Sequence, residues 1–191
     1  LERVNIRCQI APHILPSPYA LHVTNISPEQ TVEPSLPNTF DFAQTLQEFI
    51  AKWSPACWLG YNTIAFDELM MRQMFYQNLQ PEIFATQMNG NNRLDVMKMV
   101  MATHAEAPDA LTWPLGDNGK TSFKLDRLAP ANGFAHANAH DALADVEATI
   151  FMFHKIQLGA PSLFAKLLKV REKAIILSEL KSYLPMEITL R

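Results

Sequence analysis

The chain has 191 residues, within the usual size of one domain, and 48% apolar side chains, ample for one buried core. A net charge of -3 excludes an overall basic field for holding nucleic acid, so such a partner would need a local basic patch or metal ions. Cys8 and Cys57 lack metal-ligand spacing, which excludes a cysteine-built zinc site and fits reduced thiols in a cytoplasmic protein, and no apolar run nears the roughly 18 residues of a membrane span.

In chain order, "VNIRCQI" alternates Val4, Ile6, Cys8 and Ile10 with polar residues and predicts a half-buried strand. Six prolines between Pro12 and Pro37 then predict extended loop, with one short helix after Ser27. "DFAQTLQEFIAKW" brings Phe42, Leu46, Phe49, Ile50 and Trp53 onto one helical face. "ACWLGY", flanked by Pro55 and Asn62, predicts a buried strand. After a loop, "DELMMRQMFYQNL" predicts a helix with Met70, Met71, Met74, Phe75 and Leu79 inward, the methionines serving as ordinary core. "RLDVMKMVMATHA" predicts a helix, with Asp95 as a cap rather than a metal ligand. "PLGDNGKTS" predicts a turn-rich loop, and "SFKLDRLAPANGF" a short helix capped by Thr121 or Ser122 and ended near Pro130 or Gly133. A helix beginning near His140 places Leu143, Val146, Ile150 and Phe153 on one face. One further helix, "SLFAKLLKVREKAIILSELKSYL", has Leu163, Phe164, Leu167, Leu168 and Ile175 inside and a net basic surface. This order gives an α/β layer architecture with few strands and no internal repeat.

Two stretches carry chemistry. In "HANAHDALADVEATI", Asp141 and Asp145 lie one turn apart and repel, and the small neighbours Ala142, Ala148 and Thr149 leave room for a cation. Favourable placement against the helix dipole explains both aspartates equally well when the stretch is taken alone. His136 and His140 lack the glutamate that a zinc-protease helix needs after its first histidine. In "LGYNTIAFDELMMR", a buried strand leaves through Asn62 and Asp67 opens the next helix, a place where ligands collect in α/β sheets; plain helix capping is the alternative for Asp67. Each motif is weak alone, and together Asn-x3-Phe-Asp at 62–67 and His-x4-Asp at 140–145 are fairly specific.

With "LGYNTIAFDELMMRQMFYQNL", "TSFKLDRLAPANGFAHANAHDALADVEATI" and the looser "LPSPYALHVTNISPEQ", the chain resembles the exonuclease domain of the bacterial exonuclease I family, part of the DEDDh 3′-5′ exonuclease superfamily. The resemblance runs from about residue 5 to about residue 180. It implies a ribonuclease-H-like fold, a mixed sheet flanked by helices, with residues 1–191 forming a single exonuclease-like domain: a core over 1–160 and a C-terminal helical extension over 161–191. It implies hydrolysis of single-stranded DNA from its 3′ end to 5′-mononucleotides with two Mg2+ or Mn2+ ions. Asp67 and Asp145 match metal carboxylates and His140 matches the general base. Such ions, about 4 Å apart, require clustered carboxylates. Asn62 and the loop containing His22 match positions near the terminal nucleotide, although Asn25 stands where the family more often has glycine. Arg72 and Lys124 match basic positions that face the phosphate backbone, against the plain reading of solvated surface charge.

The chain departs from the family at one motif. The Asp-x-Glu triplet of the first strand, which supplies two acidic ligands, does not occur in the N-terminal part of the sequence. The expectation is therefore a cut version of an active enzyme, lacking the first strand of its sheet, an N-terminal segment and further C-terminal domains. The alternative is an inactive fragment or pseudoenzyme that binds nucleic acid or protein.

Overall fold

A computed structural model of the chain describes residues 2–135 and 142–182. The N-terminal segment is extended but joins no sheet. Gln9 N–H donates to Pro37 O (2.8 Å) and Ile10 N–H to Thr31 O (2.9 Å), so the strand expected over Val4 to Ile10 is replaced by a segment pinned at two points to carbonyls outside any strand. Burial does not follow the period-two pattern: Val4, Cys8 and Ile10 are half-buried, but so is Gln9, and Ile6 is exposed.

The proline-rich stretch holds two short helices. The first, α1 (Pro18–Thr24), is capped by Ser17 and was not expected; α2 (Pro28–Thr31) follows Ser27, which forms a reciprocal capping box with Gln30. Helix α3 (Thr39–Trp53) starts at Asn38, whose side chain accepts from Asp41 N–H (2.9 Å), and it buries Ala43 and Ile50.

Strand β1 (Cys57–Gly60) leads through a tight loop to α4 (Asp67–Gln77), then to β2 (Asn92–Asp95), which passes directly into α5 (Val96–Glu106). The two strands pair in parallel with Cys57 opposite Asn92 and Gly60 opposite Asp95. Residues 92–95 are therefore strand, not the start of the expected helix. Buried Asn91 aligns the pair: its Oδ1 accepts from Ala56 N–H (2.7 Å), while Nδ2 donates to Ser54 Oγ (2.7 Å) and Ala85 O (2.8 Å).

In α4 the inward side is Phe75 with Met71 and Met74 beside it, whereas Met70 is exposed and Leu79 is 89% exposed. The helix ends at Gln77, and Leu79 has a φ of 52°, so the helical period no longer directs its side chain inward.

The loop Pro114–Ser122 is closed by an antiparallel bridge between Leu115 and Thr121 and by the Arg127–Asp117 ion pair. Helix α6 (Leu125–Ala131) begins at Lys124 without a side-chain cap. Ser122, one of the expected caps, instead accepts weakly from Lys124 N–H (3.4 Å). At its far end Asn132 exchanges two hydrogen bonds with the backbone of Thr112, each 2.9 Å.

Helix α7 (Ala142–Gly159) buries Ala148, Thr149, Met152 and Ile156, while Val146 and Ile150 are 53% and 43% exposed. The expected face through Val146 and Ile150 is thus not the most buried one. Because the helix is apolar on several sides, periodicity could not choose between them. The last expected helix is two: α8 (Pro161–Lys169) and α9 (Lys173–Ser182). No glycine or proline marks the break between them, so the sequence pattern ran through it.

The core has two parts. Leu94, Val96, Met99, Val100, Leu128, Met152, Ile156 and Phe164 join β2, α5, α6, α7 and α8; Ala43, Ile50, Phe75 and Ala85 join α3 and α4 with Trp58 of β1 against them. The strands lie between the clusters, so their carboxyl ends emerge at the seam.

Candidate active site

The carboxyl ends of β1 and β2 open into a cleft of about 970 Å³, walled by the loop Gly60–Thr63, the start of α4, residues 123–126 and the first turns of α7. This is where parallel α/β sheets hold ligands, because strand ends and helix N-termini converge there.

Loop geometry is set by contacts at both ends. A Cβ on Gly60 would lie 2.0 Å from Thr63 Cγ2, so only glycine lets Thr63 fold back over the strand end. Asn62 has a φ of 61°, a left-handed conformation that asparagine tolerates, and its N–H donates to Asp95 Oδ1 (2.8 Å). The Tyr61 hydroxyl donates to Phe123 O, joining the two sides of the cleft. Burial, with smaller contributions from Asp95 and Asp126, pushes that phenol up, so it remains a donor.

Asp67 lies in the first turn of α4. The N-terminal cap position is Phe66, and no side chain caps the helix, so capping does not explain Asp67. Its side chain is exposed, yet the cleft walls strip part of its hydration. That loss, with a smaller push from Asp95, raises its carboxyl above the usual range; its own backbone N–H acts in the opposite direction. Half-buried Asp145 enters the same cleft from the first turn of α7, and Thr149 one turn on donates its hydroxyl to Asp145 O (2.7 Å).

Asp67, Asp145, Asn62 and Lys124 therefore line one cleft, although they come from three separate parts of the chain. Arg72 and His22 do not. Arg72 Nε donates to Glu68 O (3.1 Å) and its guanidinium lies over the Phe84 ring at 5.6 Å, while His22 is exposed on α1. His140 and Asp141 fall outside the described residues; Ala142, two positions after His140, lines the cleft. Asp95 caps α5 as expected, accepting from Met97 N–H (3.0 Å).

Sequence reasoning missed Tyr61, Thr63, Phe123 and Asp126 as cleft residues. Reading residues 93–95 as strand would have found the seam, since it sets a second strand end beside "LGYN".

Carboxylate oxygens are the donors that hard divalent cations prefer, so Asp67 and Asp145 fit such an ion in kind. Among the described residues, however, no three His, Cys, Asp or Glu side chains gather closely enough to hold one by themselves.

The RNase_T exonuclease family model matches residues 2–153. Exodeoxyribonuclease I of Haemophilus influenzae is 37% identical over 172 residues, covering 90% of this chain and 36% of that protein. The Escherichia coli protein of the same name is 36% identical over 166 residues, covering 87% and 34%. Among solved structures, E. coli exonuclease I in complex with a dA16 oligonucleotide matches with a TM-score of 0.82 at 34% identity, over 90% of this chain and 36% of that one. An ExoI/SSB-Ct complex also matches with a TM-score of 0.82 at 32% identity, over 91% and 37%. The chain thus spans about a third of the length of these relatives and has their α/β, ribonuclease-H-like exonuclease fold. Because the family match covers both the strand seam and the start of α7 that faces it, the chain belongs to the RNase_T exonuclease family.

Proposed function

We propose that the chain is the nuclease domain of an enzyme that removes 5′-mononucleotides from the 3′ ends of single-stranded DNA, with Mg2+ or Mn2+ as its metal. One observation carries this reading: Asp67 and Asp145, 78 positions apart, line a single cleft at the carboxyl ends of two parallel strands. The names of the relatives, and the oligonucleotides bound to the similar E. coli protein, support the substrate class.

Asp67 and Asp145 would hold the metal ions, and the raised carboxyl of Asp67 marks a place that gains from a nearby cation. Bound there, the ions would lower the pKa of a water molecule and neutralise the leaving 3′ oxygen. His140 is assigned the proton of that water, a task suited to a side chain that titrates near neutrality. Asn62 orients the terminal nucleotide, and Lys124 meets a backbone phosphate at the opposite wall. Arg72 and His22, outside the cleft, are assigned no contact with the reacting nucleotide. A cytoplasmic setting agrees with the free thiols Cys8 and Cys57. Among the described residues, no helix is long and apolar enough to cross a membrane.

In the full encoded protein, Asp145→Ala should lower metal-dependent release of mononucleotides from a 3′-labelled single strand by at least about 1,000-fold. Full activity in a folded Asp145→Ala protein would overturn the assignment. A second reading, a binding module without catalysis, is favoured by the lack of a three-ligand cluster among the described residues. Calorimetry separates the two: no heat with Mn2+, alongside measurable binding of a short single strand, selects the module.

A further inference from the structure

Asp95 does more than cap a helix. The residue is 3% exposed and lies at the end of β2, directly opposite Gly60 in the ladder. One oxygen accepts from Asn62 N–H (2.8 Å) and Met97 N–H (3.0 Å), and the other from Ile64 N–H (3.4 Å). Three backbone donors from two separate segments thus converge on one buried side chain, and two of them belong to the loop that leads into Asp67. A buried carboxylate is tolerated when its lone pairs are filled in this way, and a loop whose N–H groups have no other acceptor stays where the carboxylate holds it.

We propose that Asp95 is a positioning residue: from the end of β2 it clamps the Asn62–Ile64 loop to the start of α5 and so fixes where Asn62 and Asp67 enter the cleft. Asp95 need not touch metal or DNA. It acts on them through the loop, as the hydrogen-bonded partners of metal ligands do elsewhere. This inference rests on the nuclease reading above for its effect on activity, but the clamp itself does not.

Two substitutions separate the clamp from the cap. In Asp95→Ser the short hydroxyl can still cap α5 but does not reach Asn62 and Ile64. In Asp95→Asn the shape remains, but an amide NH2 replaces one acceptor oxygen. In the full protein, both should speed amide exchange in peptides covering residues 60–66. Both should also raise the Mn2+ concentration for half-maximal activity by about 10- to 100-fold. Asn38→Ala removes the cap of α3, away from the cleft, and should lower stability without shifting the metal requirement. Folded Asp95→Ser protein with unchanged exchange at 60–66 would overturn the clamp. Faster exchange with an unchanged metal requirement would overturn its positioning role, as would an equal metal shift in Asn38→Ala. Should the parent protein itself release no mononucleotides, the nuclease reading fails, and loop exchange alone decides the clamp.

Discussion

Asp67 shows how one side chain can be costly to the fold and useful to the site. Partial burial and the nearby Asp95 carboxylate raise its pKa, so the folded chain holds this proton more tightly than the unfolded chain does. Asp67 therefore favours the folded state at pH values below its ordinary range, and that benefit disappears as pH rises through its raised value. Without divalent metal, Asp67→Asn should raise the melting temperature at pH 7 by about 1 °C, a small gain because water screens an exposed carboxylate. The difference should vanish near pH 3, and saturating Mn2+ should reverse it, since the wild type would gain more from binding than a variant left with Asp145 alone. Scanning calorimetry at two pH values, with chelator and then metal, checks all three. That Asp67 and Asp145 stand in the first turns of two helices was legible in the sequence, from the strand exit before one and the apolar period after the other. What was not legible was which neighbours share the cleft, since Tyr61, Phe123 and Asp126 meet across the fold and not along the chain.

At the scale of elements, the errors have a common source. Residues 93–95 precede a long helix without glycine or proline, so local pattern merged strand with helix; the ladder with residues 58–60 is a tertiary fact. The same holds for "VNIRCQI", whose alternation is present in the sequence but whose backbone partners, Thr31 and Pro37, belong to no strand. Strand β1 and the helices around "DFAQTLQEFIAKW" and "DELMMRQMFYQNL" were legible from length, flanking breakers and helical period, but the expected burial of β1 was wrong: Cys57 and Leu59 are exposed, since only one side of this strand packs on the core. What aligns the two strands is a side chain that no pattern flagged. Asn91→Ala should cost about 2–4 kcal/mol in urea unfolding, because Ala56 N–H and the Ala85 carbonyl would both lose a buried partner. A loss below about 0.5 kcal/mol would show that β1 keeps its register without it.

Over the 191-residue chain as a whole, a net charge of -3 and the proposed DNA substrate are compatible only if attraction is local. The cleft places Lys124 among carboxylates, while Arg72 is engaged with Glu68 and Phe84 away from it. With Ca2+ as a probe in the full protein, Lys124→Ala should weaken binding of a short single strand and reduce the slope of log affinity against log salt by about 0.7. Arg72→Ala should leave that slope unchanged. Fluorescence anisotropy over a salt series gives both numbers, and equal slopes in all three proteins would remove Lys124 from the phosphate path.

The paired hydrogen bonds between Asn132 and Thr112 give the molecule a chemical clock. Asn132 is followed by Gly133, which lacks a side chain to hinder attack of its own backbone nitrogen on the Asn132 amide. While Nδ2 donates to the Thr112 and Leu128 carbonyls, the amide is held away from that reaction. Once ammonia is lost, the acid that forms after ring opening by water turns acceptors toward those two carbonyls and can no longer tie the end of α6 to residue 112. The other two Asn-Gly pairs, Asn89–Gly90 and Asn118–Gly119, are exposed, so ageing in storage would begin at those and reach this joint only when the end of α6 opens.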